Sequence, residues 1–90
     1  MLQYKLKIVG AVQGVGFRYF VCQEATRLEL TGAVWNCPDG SVEVVAQGEE
    51  ALLDQLVEQC KLGSTYSKVA SVDVQREAVG EKLLDFEIRR

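Results

Sequence analysis

Gly10-Ala11-Val12-Gln13-Gly14-Val15-Gly16-Phe17-Arg18 joins two stretches of different periodicity. Before it, Tyr4, Leu6 and Ile8 alternate with Lys5 and Lys7, and the later residues turn uniformly apolar. That is the pattern of a strand over Tyr4 to Val12. After it, Phe17, Phe20, Val21, Ala25 and Leu28 recur at helical spacing while Gln23, Glu24, Thr26 and Arg27 fall on the other side, which predicts a helix from about Arg18 to Leu28. Three glycines therefore stand at a strand-to-helix turn. Glycine tolerates φ > 0 and lets successive backbone N–H groups converge on one concavity. The first helical turn adds unpaired donors and a partial positive charge. Arg18 adds a full charge in a planar fork of donors. An anion is the guest that such a loop suits; the alternative is that the glycines serve only a tight turn.

Downstream, Thr31 to Asn36 reads as a second strand and Ser41 to Gln47 as a third. Cys37-Pro38-Asp39-Gly40 is the turn between them, since Pro fixes φ and Gly takes the left-handed position. Gly48 ends this hairpin. Glu49 and Glu50 open a second helix, where acidic side chains suit the dipole, and Lys61 and Gly63 close it. Leu52, Leu53, Leu56, Val57 and Cys60 form its buried face. A polar loop leads from Gly63 to Lys68. Val69 to Gln75 is a fourth strand, with Ala70, Val72 and Val74 alternating against Ser71, Asp73 and Gln75. Leu84, Phe86 and Ile88 alternate in a last, edge strand after a turn at Gly80 to Lys82. The order β-α-β-β-α-β plus one strand predicts an α+β, ferredoxin-like sandwich: an antiparallel sheet of four to five strands, two helices on one face and the other face solvated. Residues 1–90 form a single domain.

Ninety residues support one modest core. The net charge of −3 argues against a nucleic-acid surface, which needs a basic field, so an anionic ligand must be held by local donors. The absence of histidine removes Ser-His-Asp and Cys-His catalysis and histidine metal ligands. Cys22, Cys37 and Cys60 have no C-x-x-C spacing, and their odd number favours buried or free thiols in a reducing cytosol. No signal peptide or membrane-length apolar run is visible. The expectation is a cytoplasmic monomer with no cofactor, no metal, no nucleic-acid partner and no membrane partner.

Asn36 ends the second strand beside the turn. Its bland role is local backbone bonding; brought near Arg18, its amide carbonyl would orient a water that it cannot deprotonate. If the guest is a phosphoryl group, the loop and Arg18 hold its equatorial oxygens and Asn36 sets the water in line. No general acid stands by. Only a good leaving group manages without one, and a carboxylic–phosphoric anhydride qualifies because its leaving carboxylate has a conjugate-acid pKa near ~4.

The runs G-x-V-Q-G-V-G-F-R (Gly10 to Arg18), N-x-x-D-G-S-V-E-V (Asn36 to Val44), A-Q-G (Ala46 to Gly48) and F-E-I-R (Phe86 to Arg89) together resemble the acylphosphatase family over nearly the whole chain. The resemblance implies a metal-free hydrolase acting on small acyl phosphates, with Gln13, Gly14, Val15, Gly16, Phe17 and Arg18 cradling the phosphate, Arg18 binding it and Asn36 positioning the water. The chain departs from the family in three places. Trp35 stands where Arg is frequent, Glu29 where Gly is frequent, and Gly63-Ser64-Thr65 replaces a G-P-P loop. If the Glu29 position needs φ > 0, it costs about 1 kcal/mol.

The other class of reading is a non-catalytic anion-binding or regulatory domain of the same fold. An RNA-binding sheet lacks its aromatic run. A dinucleotide fingerprint fails at Tyr19, and a Walker A loop lacks its lysine. Tyr19, Trp35 and Tyr66 are too scattered for a substrate platform and are assigned to packing.

Overall fold

The computed structural model describes all ninety residues. Seven elements follow in chain order: β1 (Leu2–Ala11), α1 (Phe17–Arg27), β2 (Thr31–Asn36), β3 (Val42–Gly48), α2 (Glu50–Leu62), β4 (Lys68–Glu77) and β5 (Phe86–Ile88). The strands form one sheet in the order β4-β1-β3-β2-β5. β1 lies between β3 and β4, antiparallel to both, and β2 pairs antiparallel with β3. The alternation in β1 explains its central place. Tyr4, Leu6 and Ile8 turn to the helix-covered face and are almost fully buried with Val42, Val44 and Ala46 of β3. The helices close this core with Phe17, Val21 and Ala25 from α1 and Leu53, Leu56, Val57 and Cys60 from α2. Each large apolar side chain buried this way contributes roughly 1.5–3 kcal/mol. Tyr4 seats its hydroxyl on Asp54 of α2, donating to Oδ1 at 2.6 Å.

The predicted ferredoxin-like α+β arrangement is what forms, with one difference in strand sense. β5 runs parallel to β2, Gly32 opposite Phe86 and Val34 opposite Ile88, so the five-stranded sheet is mixed. The chain reaches this edge from β4, on the opposite edge, by crossing the open face of the sheet. Gln47 anchors the crossing. Its amide donates to the Glu81 carbonyl at 2.6 Å and accepts from the Leu83 N–H at 2.9 Å. Gln47, which alternates with the core residues Val42, Val44 and Ala46 and so falls on the open face, is therefore buried, and only part of that face remains open.

The fourth strand also corrects the simple alternation. The β1–β4 register shifts between Val9 and Gly10, Val9 pairing with Ser71 and Gly10 with Val69, so Ala70 is the extra residue of a bulge. Val69 packs against the core in its place, and Ala70 is exposed. Gly10 permits this close approach, since a Cβ there would collide with the Lys68 carbonyl.

Candidate active site

The loop between β1 and α1 is pinned at both ends by buried side chains, Val12 and Phe17. Between them the backbone swings outward through two left-handed residues, Gly14 at φ 74° and Gly16 at φ 76°. Neither glycine has a neighbour within 4 Å of where a Cβ would stand, so the conformation and not crowding demands glycine. Gly16 caps α1 without any side-chain bond. The backbone N–H groups from Gly14 to Tyr19 find no backbone acceptor; the first bond of the helix is Phe20 N–H to the Gly16 carbonyl at 3.1 Å. A run of unpaired donors around alternating left-handed residues makes an anion-binding concavity at a helix N-terminus.

A cleft of about 290 Å³ opens in front of this loop. It is lined by Gly14, Gly16, Phe17, Arg18 and Tyr19 from the loop and the start of α1, by Asn36 at the end of β2, and by Ile88 and Arg90 from the C-terminal strand and the residues after it. Arg18 and Asn36 thus share one cavity, which only the folded sheet brings about. The Arg18 guanidinium is steadied from one side, Nη1 donating to the Arg89 carbonyl at 3.2 Å. Arg89 is held in turn by its own N–H, which donates to the Val34 carbonyl at 2.8 Å beside the parallel β2–β5 pair. The remaining donors of the fork stay free for a ligand. Asn36 projects a buried Oδ1 that meets no hydrogen-bond donor of the protein. A buried carbonyl left unpaired costs stability, and this one belongs to a residue that lines the same cleft as the loop with the unpaired N–H groups.

The other predicted loop residues divide. Gln13 and Val15 do not line the cleft. The Gln13 amide instead donates to the carbonyls of Cys37 and Ser41, at 2.8 and 2.9 Å, tying the loop to the β2–β3 turn. Val15 packs partly against the core. The β2–β3 turn has its own brace. Asp39 accepts from the Ser41 hydroxyl at 2.6 Å and the Ser41 N–H at 2.9 Å, and pairs with Lys7 at 3.0 Å. The Ser41 bonds, with Lys7 adding, hold the Asp39 carboxyl well below the usual carboxylate range. Trp35 points to the open face, where its indole donates to Glu43 at 3.3 Å under the Arg89 guanidinium. The Cys37 thiol donates to the same carboxylate; burial and that bond push its pKa up. No group of three or more potential metal ligands occurs.

Sequence reasoning missed Ile88, Arg90 and the Arg89 carbonyl, because nothing local announces that the C-terminal strand pairs parallel with β2. It also misassigned two tyrosines. Tyr19 is 61% exposed and Tyr66 is 81% exposed, so neither is a packing residue.

The fold is that of a ferredoxin-like α+β domain, with unpaired backbone donors at the β1–α1 turn and an unpaired amide oxygen lining the same cleft. The acylphosphatase family model matches residues 4–88. An acylphosphatase of Bacillus subtilis is 51% identical over 74 residues, 82% of this chain and 81% of that protein. One from Syntrophotalea carbinolica is 44% identical over 88 residues, 98% and 96% of the two chains. The crystal structure of the Bacillus subtilis acylphosphatase superposes with a TM-score of 0.97 at 46% identity over the full length of both chains. The chain belongs to the acylphosphatase family, and is a hydrolase of acyl phosphates.

Proposed function

We propose that residues 14–19 and Arg18 hold the phosphoryl group of an acyl phosphate while Asn36 orients the water that attacks it. The buried, donorless Asn36 Oδ1, on a residue lining the same cleft as the loop with the unpaired N–H groups, carries this reading. The loop donors and Arg18 meet the equatorial oxygens, where charge collects in the transition state. Asn36 accepts one hydrogen of the water and aims its oxygen at phosphorus. The new P–O bond forms as the bond to the acyl oxygen breaks, and the electron pair leaves on the carboxylate. The two hydrogens of the water end on the phosphate. An amide cannot serve as the base, so the proton passes to a phosphoryl oxygen of the substrate itself. The leaving carboxylate needs no proton.

Phosphate release from benzoyl phosphate tests the assignment. Arg18→Ala and Asn36→Ala should each lower kcat/KM by about 10²- to 10³-fold, the usual range for a lost transition-state donor or water-positioning group, with folding intact by circular dichroism. Excess chelator should leave the parent unchanged. Either variant retaining most of its activity would refute the roles given to these residues. In this reading residues 1–90 act as one monomeric, cytoplasmic unit. The three free cysteines and net negative charge support that setting, and no helix is long and apolar enough to cross a membrane.

A further inference from the structure

The arginines of the chain are Arg18, Arg27, Arg76, Arg89 and Arg90. Three of them meet a carboxylate: Arg27 pairs with Glu24 at 3.0 Å, Arg76 with Glu50 at 2.9 Å and Arg89 with Glu87 at 3.0 Å. The two that meet none are Arg18 and Arg90, and both line the cleft in front of the β1–α1 loop. No aspartate or glutamate lines it with them. Carboxylates outnumber basic side chains in this chain, 13 against 10, so a cleft with two guanidinium groups and no acid inverts the overall charge locally.

The strand alternation of β5 brings Arg90 there. Ile88 and Arg90 fall on the side of the cleft, while Arg89 between them turns to the open face, its guanidinium 5.6 Å from the centre of the Trp35 ring. The backbone at this point is tied twice. The Arg89 N–H bonds the Val34 carbonyl at 2.8 Å, and the Arg89 carbonyl accepts from Arg18 at 3.2 Å. Arg90 is the next residue, so the peptide that steadies Arg18 also sets the point from which Arg90 departs.

We infer that Arg90 is a second cationic contact for the phosphoryl group, and that it governs how tightly the cleft holds a phosphate dianion, substrate and inorganic phosphate alike. The inference rests on the reading that residues 14–19 hold phosphate. The two arginines differ in how they are held. Arg18 lies in the first turn of α1 with its guanidinium oriented by the Arg89 carbonyl, so it meets phosphoryl oxygens in a fixed geometry, as transition-state stabilisation requires. Arg90 is exposed and is placed through its backbone alone. A cation so placed answers to the charge of the anion and not to its shape, and attracts ground state and transition state equally. Such uniform binding lowers KM and the inhibition constant of the phosphate product without raising kcat. Its exposure makes it sensitive to salt.

Steady-state kinetics on acetyl phosphate, with inorganic phosphate as inhibitor, would compare the parent with Arg90→Ala, Arg90→Glu and Arg90→Lys. Arg90→Ala should raise KM and the phosphate inhibition constant together by about three- to tenfold, with kcat within about twofold. Arg90→Glu should raise both by more than Arg90→Ala does. Arg90→Lys should return both to within about threefold of the parent, since charge and not the planar fork makes the contact. Raising salt from about 0.05 to about 0.5 M should narrow the gap between the parent and Arg90→Ala. A purely structural role at the strand end would be neither rescued by lysine nor screened by salt. Phosphate affinity unchanged in both Arg90→Ala and Arg90→Glu, or a loss confined to kcat, would overturn the inference. Arg18→Ala is the control. If it is inactive while Arg90→Glu binds phosphate as the parent does, the mechanism stands and the role of Arg90 falls. A parent that phosphate does not inhibit would defeat both.

Discussion

Gln13 Nε2 donates to the Cys37 carbonyl at 2.8 Å, and through that bond the anion cradle and the strand end bearing Asn36 become one rigid unit. The same amide reaches the Ser41 carbonyl at 2.9 Å. Gln13 therefore does not present its side chain to the ligand. On the proposed mechanism, it fixes the spacing between the loop donors that would hold phosphate and the Asn36 amide that would hold water. Gln13→Leu removes both bonds, while the Cys37 and Ser41 carbonyls keep their backbone donors, Gly40 N–H at 3.1 Å and Cys37 N–H at 2.8 Å. The expected cost is about 1–2 kcal/mol of stability, read from the urea midpoint. Turnover should fall by more, about tenfold or greater in kcat with KM little changed, because misplacement of about 1 Å is enough to damage an in-line geometry. A variant with normal kcat would show that the cradle keeps its place without the tie.

The end of α1 carries a strain that can be relieved. Leu30 N–H bonds the Ala25 carbonyl at 2.9 Å and Glu29 N–H bonds that of Thr26 at 3.0 Å, the paired closure that requires a left-handed residue between helix and strand. That residue is Glu29, at φ 58°, the one non-glycine residue of positive φ in the chain. The substitution Glu29→Gly should stabilise by about 0.5–1 kcal/mol, the steric relief exceeding the added freedom of the unfolded chain. For a domain of this size that corresponds to a rise in Tm of about 2–8 °C in a thermal melt. No gain would mean that the glutamate side chain stabilises the folded state in some other way.

Much of this was legible locally. The boundaries of β2 follow from its pattern and its turn alone, Thr31–Asn36 as predicted. The helical stripe of α1 and the glycine spacing before it put Arg18 in the first turn of that helix, where it lies, because caps, turns and periodicities are short-range properties. What escaped is long-range. Ala70 and Val69 exchange faces through a bulge that depends on the β1 partner. Gln47 looks solvent-facing until the β4–β5 crossing arrives above it. The same holds for the Arg89 carbonyl beside Arg18, which depends on a parallel pairing between strands about fifty residues apart. Tyr19 and Tyr66 were assigned to packing from their spacing, yet both stand at a groove that forms only when the α2–β4 loop folds beside α1.

The turn after Asn36 should show its brace in acid. Asp39 is held below the usual carboxylate range, first by the Ser41 hydroxyl, then by the Ser41 N–H and by Lys7. Its ionised form is thus favoured in the folded state. The stability it adds is fully present above the unfolded carboxyl pKa of about 3.9 and is lost as pH falls through the lower folded value. An NMR titration should place the Asp39 midpoint below ~3.9. The gap in urea midpoint between the parent and Asp39→Asn should be constant near neutrality and narrow in acid below about pH 4. A gap that is unchanged in acid would mean that the Asp39 bonds do not depend on its charge.

Arg18 separates charge from shape. Lysine at this position keeps the positive charge but offers a point in place of a planar fork. The guanidinium spends one donor on the Arg89 carbonyl at 3.2 Å and keeps the others free beside the cleft that it lines. A lysine ammonium must either keep that tie or follow the ligand, and in neither place does it span two phosphoryl oxygens at once. Arg18→Lys should therefore lose on the order of 10²-fold in kcat/KM on acetyl phosphate. Its Tm should move by no more than a few degrees, since the bond to Arg89 is exposed. Inorganic phosphate should still inhibit it, with weaker affinity, because the loop N–H groups remain. Parent-like turnover in the lysine variant would mean that the positive charge alone suffices, and that the Arg89 carbonyl orients nothing that the reaction uses.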